Sequence, residues 1–412
     1  MTMRCRIKLL SPLHIGNGNE LKLVDFYLDD DKKLIKRIDS NKFISYCFEN
    51  GINLMEKLNK RHYKTDRDFS ITKFMDAKGI DPDGFTSYEV PAIIEKRERE
   101  SEFAVKEHVK CGGAYIPGSS IKGAIRTALM WAFLNERDNV NVLFDELDDW
   151  LRERGKIDPK VLDPFGGGGA NDWLRKRGKI DLKKIDDRIS QKVFGNDAHH
   201  DIFRALRISD TSPIGMEHLE VSEIKIVGNP QDIPVYVENL KTGTEATFDL
   251  YLDENLLNTE KKELDFDFKN HKLRGYMHVN RICDICNAFS KKVVEEHLRY
   301  QWENYDCEST IDKFEMLRSE VMGCDDNETI MHIGWGGGWY STTVGLLVED
   351  HPKFTTGAGG NLRNWRLRKD TLRYKFKLGR NPQTNRYASR FPKTRRITIE
   401  GEPIGWVKIT VE

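Results

Sequence analysis

Lys122 and Arg126 lie four residues apart in AYIPGSSIKGAIRTAL, residues 114–129, just inside the start of a helical pattern. Pro117 and Gly118 break the extended run that ends at Ile116, because proline fixes φ and glycine reaches conformations closed to other residues. Ser119 or Ser120 can then cap the helix by accepting from an orphan N–H. Ile121, Ile125 and Leu129 follow at helical spacing. Two cations at i, i+4 repel, and positive charge near a helix N-terminus opposes the macrodipole. A docked phosphate relieves both costs, since a helix start presents unpaired backbone donors. The alternative is a capped surface helix with two solvated cations.

A second constellation lies near the C-terminus. Asn361–Arg396 carries thirteen Lys or Arg and one acid, Asp370, a local charge of +12 in a chain whose net charge is zero. Trp365, Tyr374, Phe376, Tyr387 and Phe391 are interleaved with the charges. Cations for phosphates and rings for bases are what a nucleic-acid single strand requires, which makes Arg363, Arg366, Lys393, Arg395 and Arg396 candidate contacts. The alternation over Leu372–Leu378 predicts a strand with Arg373, Lys375 and Lys377 on a basic face. Upstream, Gly334–Gly345 reads GWGGGWYSTTVG. Gly336, Gly337 and Gly338 let backbone amides approach a ligand, with Trp335, Trp339 and Tyr340 placed to stack. No GKS or GKT follows, so this is not a Walker loop; the same residues also suit a tight turn into a helix.

Metal and redox chemistry find less support. His199, His200 and Asp201 are adjacent, and neighbouring histidines do not readily share one ion on a regular element. Cys283-Asp284-Ile285-Cys286 has CxxC spacing, but Cys307 and Cys324 are single residues at unmatched spacing, and i, i+3 cysteines on a helix commonly fill a core face. No metal or cofactor is expected.

The elements that position these residues are mixed. Residues 3–10 alternate, with Met3, Cys5, Ile7 and Leu9 opposite Arg4, Arg6 and Lys8, a half-buried strand with a basic outer face. Further strands are expected at Leu21–Leu28, Phe203–Ser209 and 219–228. Hairpins are expected over Pro234–Leu252, around Lys241-Thr242-Gly243, and over 397–411, around Gly401-Glu402-Pro403. Helices are expected from Asp39 or Ser40 to about Lys60, at about 120–136, and at about 280–300. Asp149–Asp158 and Asp172–Asp181 are near-identical copies, DWLRERGKID and DWLRKRGKID, flanking DPFGGGGA. Two copies are too few for a solenoid. Lys plus Arg and Asp plus Glu number 66 each, so any polyanion signal must be local. No apolar run approaches the roughly 20 residues of a membrane span. The N-terminus reads as a strand rather than a secretory signal, and seven scattered cysteines favour a reducing, cytoplasmic setting.

Five blocks carry a family resemblance: SPLHIGNG (Ser11–Gly18), YIPGSSIKGAIRTAL (Tyr115–Leu129), FRALRISD (Phe203–Asp210), the Gly334–Gly345 loop, and FPKTRR with Gly405-Trp406. Together they resemble the RAMP superfamily of CRISPR proteins and, within it, the subunit-five family of type III-A (Csm) interference complexes. The duplicated insert and the CxxC are not part of that pattern. The resemblance implies an α+β fold of ferredoxin-like, RRM-type units with helical insertions: an N-terminal unit over 1–215 with an insertion at about 136–190, and a second unit over 216–412 with the glycine loop and basic segment. It implies a non-catalytic subunit that binds CRISPR RNA, caps the 3′ end of the guide filament, and is required for the RNA to mature. Its expected partners are CRISPR RNA, other Csm subunits and recruited host nucleases that do the trimming. No RNP1-type aromatic motif is present, so base stacking on the sheet is not expected. Some relatives cleave RNA without metal, which leaves an alternative with His14 as general base and Lys122 beside it. A metal-dependent nuclease using Asp201 or Asp210 is a third reading.

Overall fold

The computed structural model describes residues 2–52, 69–95, 103–136, 182–229, 234–261, 265–305, 307–349, 366–369, 371–375, 377–381, 384–389 and 391–412, with 139, 143, 354 and 357–358 between them. The duplicated segments, DPFGGGGA and Arg363 lie outside the described residues.

Period-two alternation makes β1 (Thr2–Leu9) the centre of the first sheet: Cys5, Ile7 and Leu9 are fully buried while Arg4, Arg6 and Lys8 face out. The sheet has five strands in the order β11-β15-β1-β10-β7, with β7 at Leu206–Ile208, β10 at Glu245–Leu252, β11 at Glu328–His332 and β15 at Trp406–Val411. The helices α3 (Gly118–Asn135) and α5 (Val279–Leu298) pack against each other and against this sheet. The order β1, α3, β7, β10, α5, with neighbouring strands antiparallel, is that of a ferredoxin-like unit. The unit's fourth-strand place beside β1 is taken by β15, antiparallel to it. A further helix, α6 (Ser309–Met322), precedes β11, which pairs with the outer side of β15.

The second sheet has eight strands, β2-β6-β9-β8-β5-β4-β3 with β14 also on β8. These are β2 (Gly16–Leu21), β3 (Phe26–Asp29), β4 (Leu34–Ile38), β5 (Thr86–Ile93), β6 (Val105–His108), β8 (Leu219–Val227), β9 (Val235–Leu240) and β14 (Arg395–Thr398). Two short strands, β12 (Gly357–Ala358) and β13 (Arg366–Leu367), pair separately. Strands from both sides of residue 215 interleave in both large sheets. Two helices, α1 (Ser40–Glu49) and α2 (Ile71–Lys78), form a small satellite core with Ile38 and Ile80. They start on real caps: Asp39 accepts from the Asn41 and Lys42 N–H groups, and Ser70 from Lys73 N–H. Between α3 and β7 lies α4 (Leu182–Phe194). Among the described residues no helix is long and apolar enough to cross a membrane.

Both expected hairpins are corrected. A turn does stand at Lys241–Gly243, with Gly243 at φ +82, but β9 pairs with β8 and β6 while β10 pairs with β1 and β7. Likewise β14 joins β8 in the second sheet and β15 joins β1 and β11 in the first. Turn chemistry reports a reversal of direction; which sheet each arm enters is decided by distant partners. The expected strand Leu21–Leu28 is cut in two, because Asp25 accepts from Lys22 N–H and folds residues 22–25 into a turn. Leu372–Lys375 is one turn of helix, not a strand. Its Arg373 is buried against the carbonyls of Leu378 and Ala388, which an alternating strand cannot satisfy. Helix α1 ends at Glu49, with Gly51 at φ +64, and residues 53–60 lie outside the described set.

One buried carboxylate joins three strands of the second sheet. Glu238 on β9 is 1% exposed. Its Oε1 accepts from Tyr88 Oη at 2.8 Å on β5, and its Oε2 from His108 N–H at 3.0 Å on β6 and from Lys110 Nζ. Removing it leaves the Tyr88 hydroxyl and His108 N–H without this acceptor and Lys110 with only its longer bonds, at 3.3 Å, to Glu107 and His108 O. Glu238→Ala should lower unfolding free energy by about 3 kcal/mol, read by chemical denaturation; a change within error would show that these groups find other partners.

Candidate nucleic-acid interface

The helix carrying Lys122 and Arg126 starts at Gly118, with Pro117 as an N-cap that makes no side-chain bond. Neither Ser119 nor Ser120 caps it. Asp210 Oδ1 accepts from Gly118 N–H at 2.8 Å, and Thr211 Oγ1 from Ile116 N–H at 3.0 Å. A Cβ built on Gly118 would lie 2.4 Å from Ile208 O, so glycine is what lets the helix start press onto β7. Lys122 Nζ donates to Leu206 O at 2.6 Å and sits 5.2 Å from the Phe203 ring; burial pushes this ammonium below the usual lysine range. Arg126 donates to Asp201 Oδ2 at 2.8 Å and Ser190 Oγ at 2.9 Å, with its guanidinium 3.9 Å from the Phe194 ring. The two like charges are thus offset from within the chain, by a carboxylate and a carbonyl.

The glycine loop is a packed turn. Trp335 N–H donates to His14 O at 2.9 Å. A Cβ on Gly334 would lie 2.5 Å from His14 O, and one on Gly337 2.4 Å from His332 Cε1. Only at Gly338, φ +63, would a Cβ meet nothing; there the short helix α7 (Gly338–Thr342) begins. His14 is 2% exposed, its Nδ1 donates to Glu238 O at 2.6 Å, and its ring stands edge-on to Trp335 and His108. Burial pushes its pKa down to about 4. A general base needs a nitrogen within reach of substrate; this imidazole is enclosed and bonded to β9, while Lys122 is bonded to β7.

The basic segment divides into an inward and an outward set. Arg395 is 7% exposed, lies 4.7 Å from the Tyr300 ring and 5.1 Å from Tyr340, and donates to Pro392 O and Thr394 O. Arg396 lies over Trp335 at 5.1 Å. Arg373 holds backbone carbonyls and faces Phe391. Among the aromatic residues, Trp365 and Phe376 lie outside the described residues, Tyr374 stacks on Tyr387 at 5.2 Å, and Phe391 packs with Trp339 and Phe354. Outward are Arg366, Lys369, Lys375, Lys377, Arg386 and Lys393, all exposed, and none makes an ion pair among the described residues. The sequence reading named Arg366 and Lys393 but placed Lys375 and Lys377 on a strand and did not name Lys369 or Arg386; their signal was membership of the +12 segment alone. By contrast, the outer face of β1 is neutralised: Arg4 pairs with Asp249, Arg6 with Glu412, and Lys8 with Glu245.

The other clusters have structural partners. Asp201 caps a turn through Phe203 N–H besides holding Arg126. His199 O accepts from Arg204. His200 lies between Asp197 at 2.8 Å and Asp265 at 3.6 Å. Cys283 and Cys286 are buried in the core face of α5, and no group of three metal-ligating side chains occurs among the described residues.

The profile of the RAMP superfamily matches residues 6–341. The chain belongs to the RAMP superfamily. This RAMP protein is 24% identical to "CRISPR system Cms protein Csm5" of Methanocaldococcus jannaschii, over all of this chain and 89% of the relative. It is 31% identical to the Streptococcus thermophilus protein of the same name, over 31% of this chain and 38% of that one. Among solved structures it is similar to a chain in the cryo-EM structure of a Csm–crRNA–target RNA ternary complex of a type III-A CRISPR–Cas system, with TM-score 0.69, 26% identity and full coverage of both chains. It also matches the crystal structure of T. onnurineus Csm5, with TM-score 0.66 and 24% identity over 98% of this chain and 99% of the other.

Two outcomes follow for this RAMP fold. Gly337→Ala drives a methyl into His332 and should cost about 1–3 kcal/mol, measured as a lower denaturation midpoint; wild-type stability would mean the turn relaxes freely. The His200 pKa is raised above the usual 6.5, chiefly by its bond to Asp197. A raised folded-state pKa means the contribution is fully present below the unfolded value and is lost as pH rises through the folded one. An NMR titration should place the His200 midpoint above 6.5, and Asp197→Asn should return it toward that value.

Proposed function

We propose that this protein is a non-catalytic RNA-binding subunit of a type III-A Csm complex, seated at the 3′ end of the CRISPR RNA and required for that RNA to reach its mature length. Its partners are CRISPR RNA and neighbouring Csm subunits, with trimming done by recruited nucleases. Full-length similarity to Csm5 proteins and to a chain of a crRNA-containing complex supports the assembly and its ligand. The observation that carries the binding mode is the outward set of cations on the 366–393 segment, unpaired by acids among the described residues, while Tyr374 and Tyr387 stack on each other and Phe391 packs on Trp339 and Phe354. Such a surface grips phosphates without reading bases, which suits a guide whose spacer sequence varies.

The test is salt dependence. For single strands, log affinity falls with log salt at about 0.7 per phosphate neutralised. Changing Lys375, Lys377, Arg386 and Lys393 together to Ala should weaken binding of a single-stranded crRNA and flatten the slope by about 2–3, measured by fluorescence anisotropy. An unchanged slope would reassign this face to protein contact. The Lys122→Ala/Arg126→Ala pair, whose partners are internal, should instead lower stability and leave the slope in place. Labelled repeat-spacer RNA should survive incubation with and without divalent metal; a discrete cut lost in His14→Ala would overturn the non-catalytic reading.

A further inference from the structure

Residues 377–381 and 384–389 lie against each other outside both large sheets. Arg380 and Tyr387 form an antiparallel bridge. On one side of it Asn381 N–H donates to Arg386 O at 2.8 Å, and on the other Ala388 N–H donates to Gly379 O at 3.0 Å. The root is the buried Arg373, whose guanidinium donates to the carbonyls of Leu378, Ala388 and Ser389 and so holds both arms. This loop presents two half-buried tyrosines. The Tyr374 and Tyr387 rings are 5.2 Å apart with planes 30° from parallel, and Tyr387 Oη donates to Tyr374 O at 3.0 Å. Leu378 and Phe391 beside them pack on the main core. Among the described residues neither tyrosine packs on any core cluster, and neither ring has a further ring partner. Lys375 and Arg386 adjoin the pair in sequence and Lys377 N–H bonds to Tyr374 O; all three side chains are exposed.

Aromatic rings are large apolar surfaces that ordinarily enter a core or serve an interface. A stacked pair held off the core and fringed by cations has the make-up of a single-strand site, where rings take bases and cations take the flanking phosphates. We propose that the Tyr374–Tyr387 pair is a stacking platform for one base of the bound single-stranded RNA, with Lys375, Lys377 and Arg386 on the phosphates beside that base. The inference rests on the RNA-binding reading above and gives it a fixed point. Every base has a π face, so the platform adds grip without reading sequence. The two rings are already stacked and tied by a hydrogen bond, so a docking base adds a third layer and orders no further side chain. Arg373 is a positioning residue for the platform, since it fixes the two arms that carry it.

The test compares two labelled probes by fluorescence anisotropy on the full chain: a single-stranded RNA of about ten nucleotides, and a strand of the same length whose riboses carry no bases. Both present the same phosphates. The wild type should prefer the RNA, and Tyr387→Leu should shrink that preference by about tenfold while leaving the salt slope in place, because no charge has changed. Tyr387→Phe keeps the ring and should bind as the wild type does. Tyr374→Leu should repeat the loss seen in Tyr387→Leu. A ring pair with a purely structural role weakens both probes alike, so the coupling between ring and base is the deciding quantity. An undiminished preference in both leucine variants, or equal weakening of the two probes, would overturn the platform. If the four-cation variant still flattens the slope in that case, the phosphate grip stands without it; if that slope is also unchanged, the RNA-binding reading falls with the platform.

Discussion

Residues 11–15 pass from the first sheet to the second through the interior, every one of them buried. Buried backbone groups must be paired, and the partners come from places far apart in sequence. Ser11 Oγ accepts from Trp406 N–H, and Pro12 O from Gly405 N–H. Leu13 exchanges both backbone bonds with Leu240, His14 O accepts from Trp335 N–H, and Ile15 N–H donates to His108 Nδ1. This single requirement draws together the start of β15, the end of β9, the glycine turn and β6. It also gives a physical reason why SPLHIG, GWGGG and Gly405-Trp406 occur in one chain: they are one joint, seen in three pieces. His108 is neutral here because its Nδ1 must keep a lone pair for Ile15 N–H, and burial pushes its pKa down to about 3.

A second joint obeys the same logic. The start of α3 and the 201–211 stretch satisfy each other's polar groups, through Asp210 to Gly118, Thr211 to Ile116, Lys122 to Leu206 and Asp201 to Arg126. The cations that stand out on a helical wheel are here part of a contact between a helix and a strand. Cations with such partners contribute little field to the exterior. Charge available to a polyanion is concentrated instead on the 366–393 segment, which is held down by its own inward arginines. The +12 of residues 361–396 therefore has two uses, anchorage and display, and a sequence count merges them.

Much of the local structure was legible. The alternation of β1, the long amphipathic α5, and the helix after Pro117 all rest on periodicity, which is a property of the segment itself. The ferredoxin-like arrangement came from family resemblance, not from spacing. What could not be read were long-range choices. Nothing in TFDLYL says that β10 leaves β9 for β1, and nothing in the turn after β14 says that β15 inserts beside the first strand. At the candidate interface, positive charge was legible but its direction was not. Arg395 and Lys393 are two residues apart; one is wedged between two tyrosines and the other is in solvent. Side-chain direction there depends on Tyr300 and Tyr340, which sequence gives no reason to place nearby.

The placement of β15 bears on how the chain is made. Cys5 pairs with Val411, so β1 keeps an open edge until β15 has been made. At about 5–20 residues per second, translating the stretch from β1 to β15 takes roughly 20–80 s. Throughout that time one side of the central strand offers unpaired backbone groups, a template for wrong partners. The cations Arg4, Arg6 and Lys8 on its outer face limit that hazard. A chain broken off before residue 405 would leave β1 without one neighbour and the joint at residues 11–15 without Gly405 and Trp406.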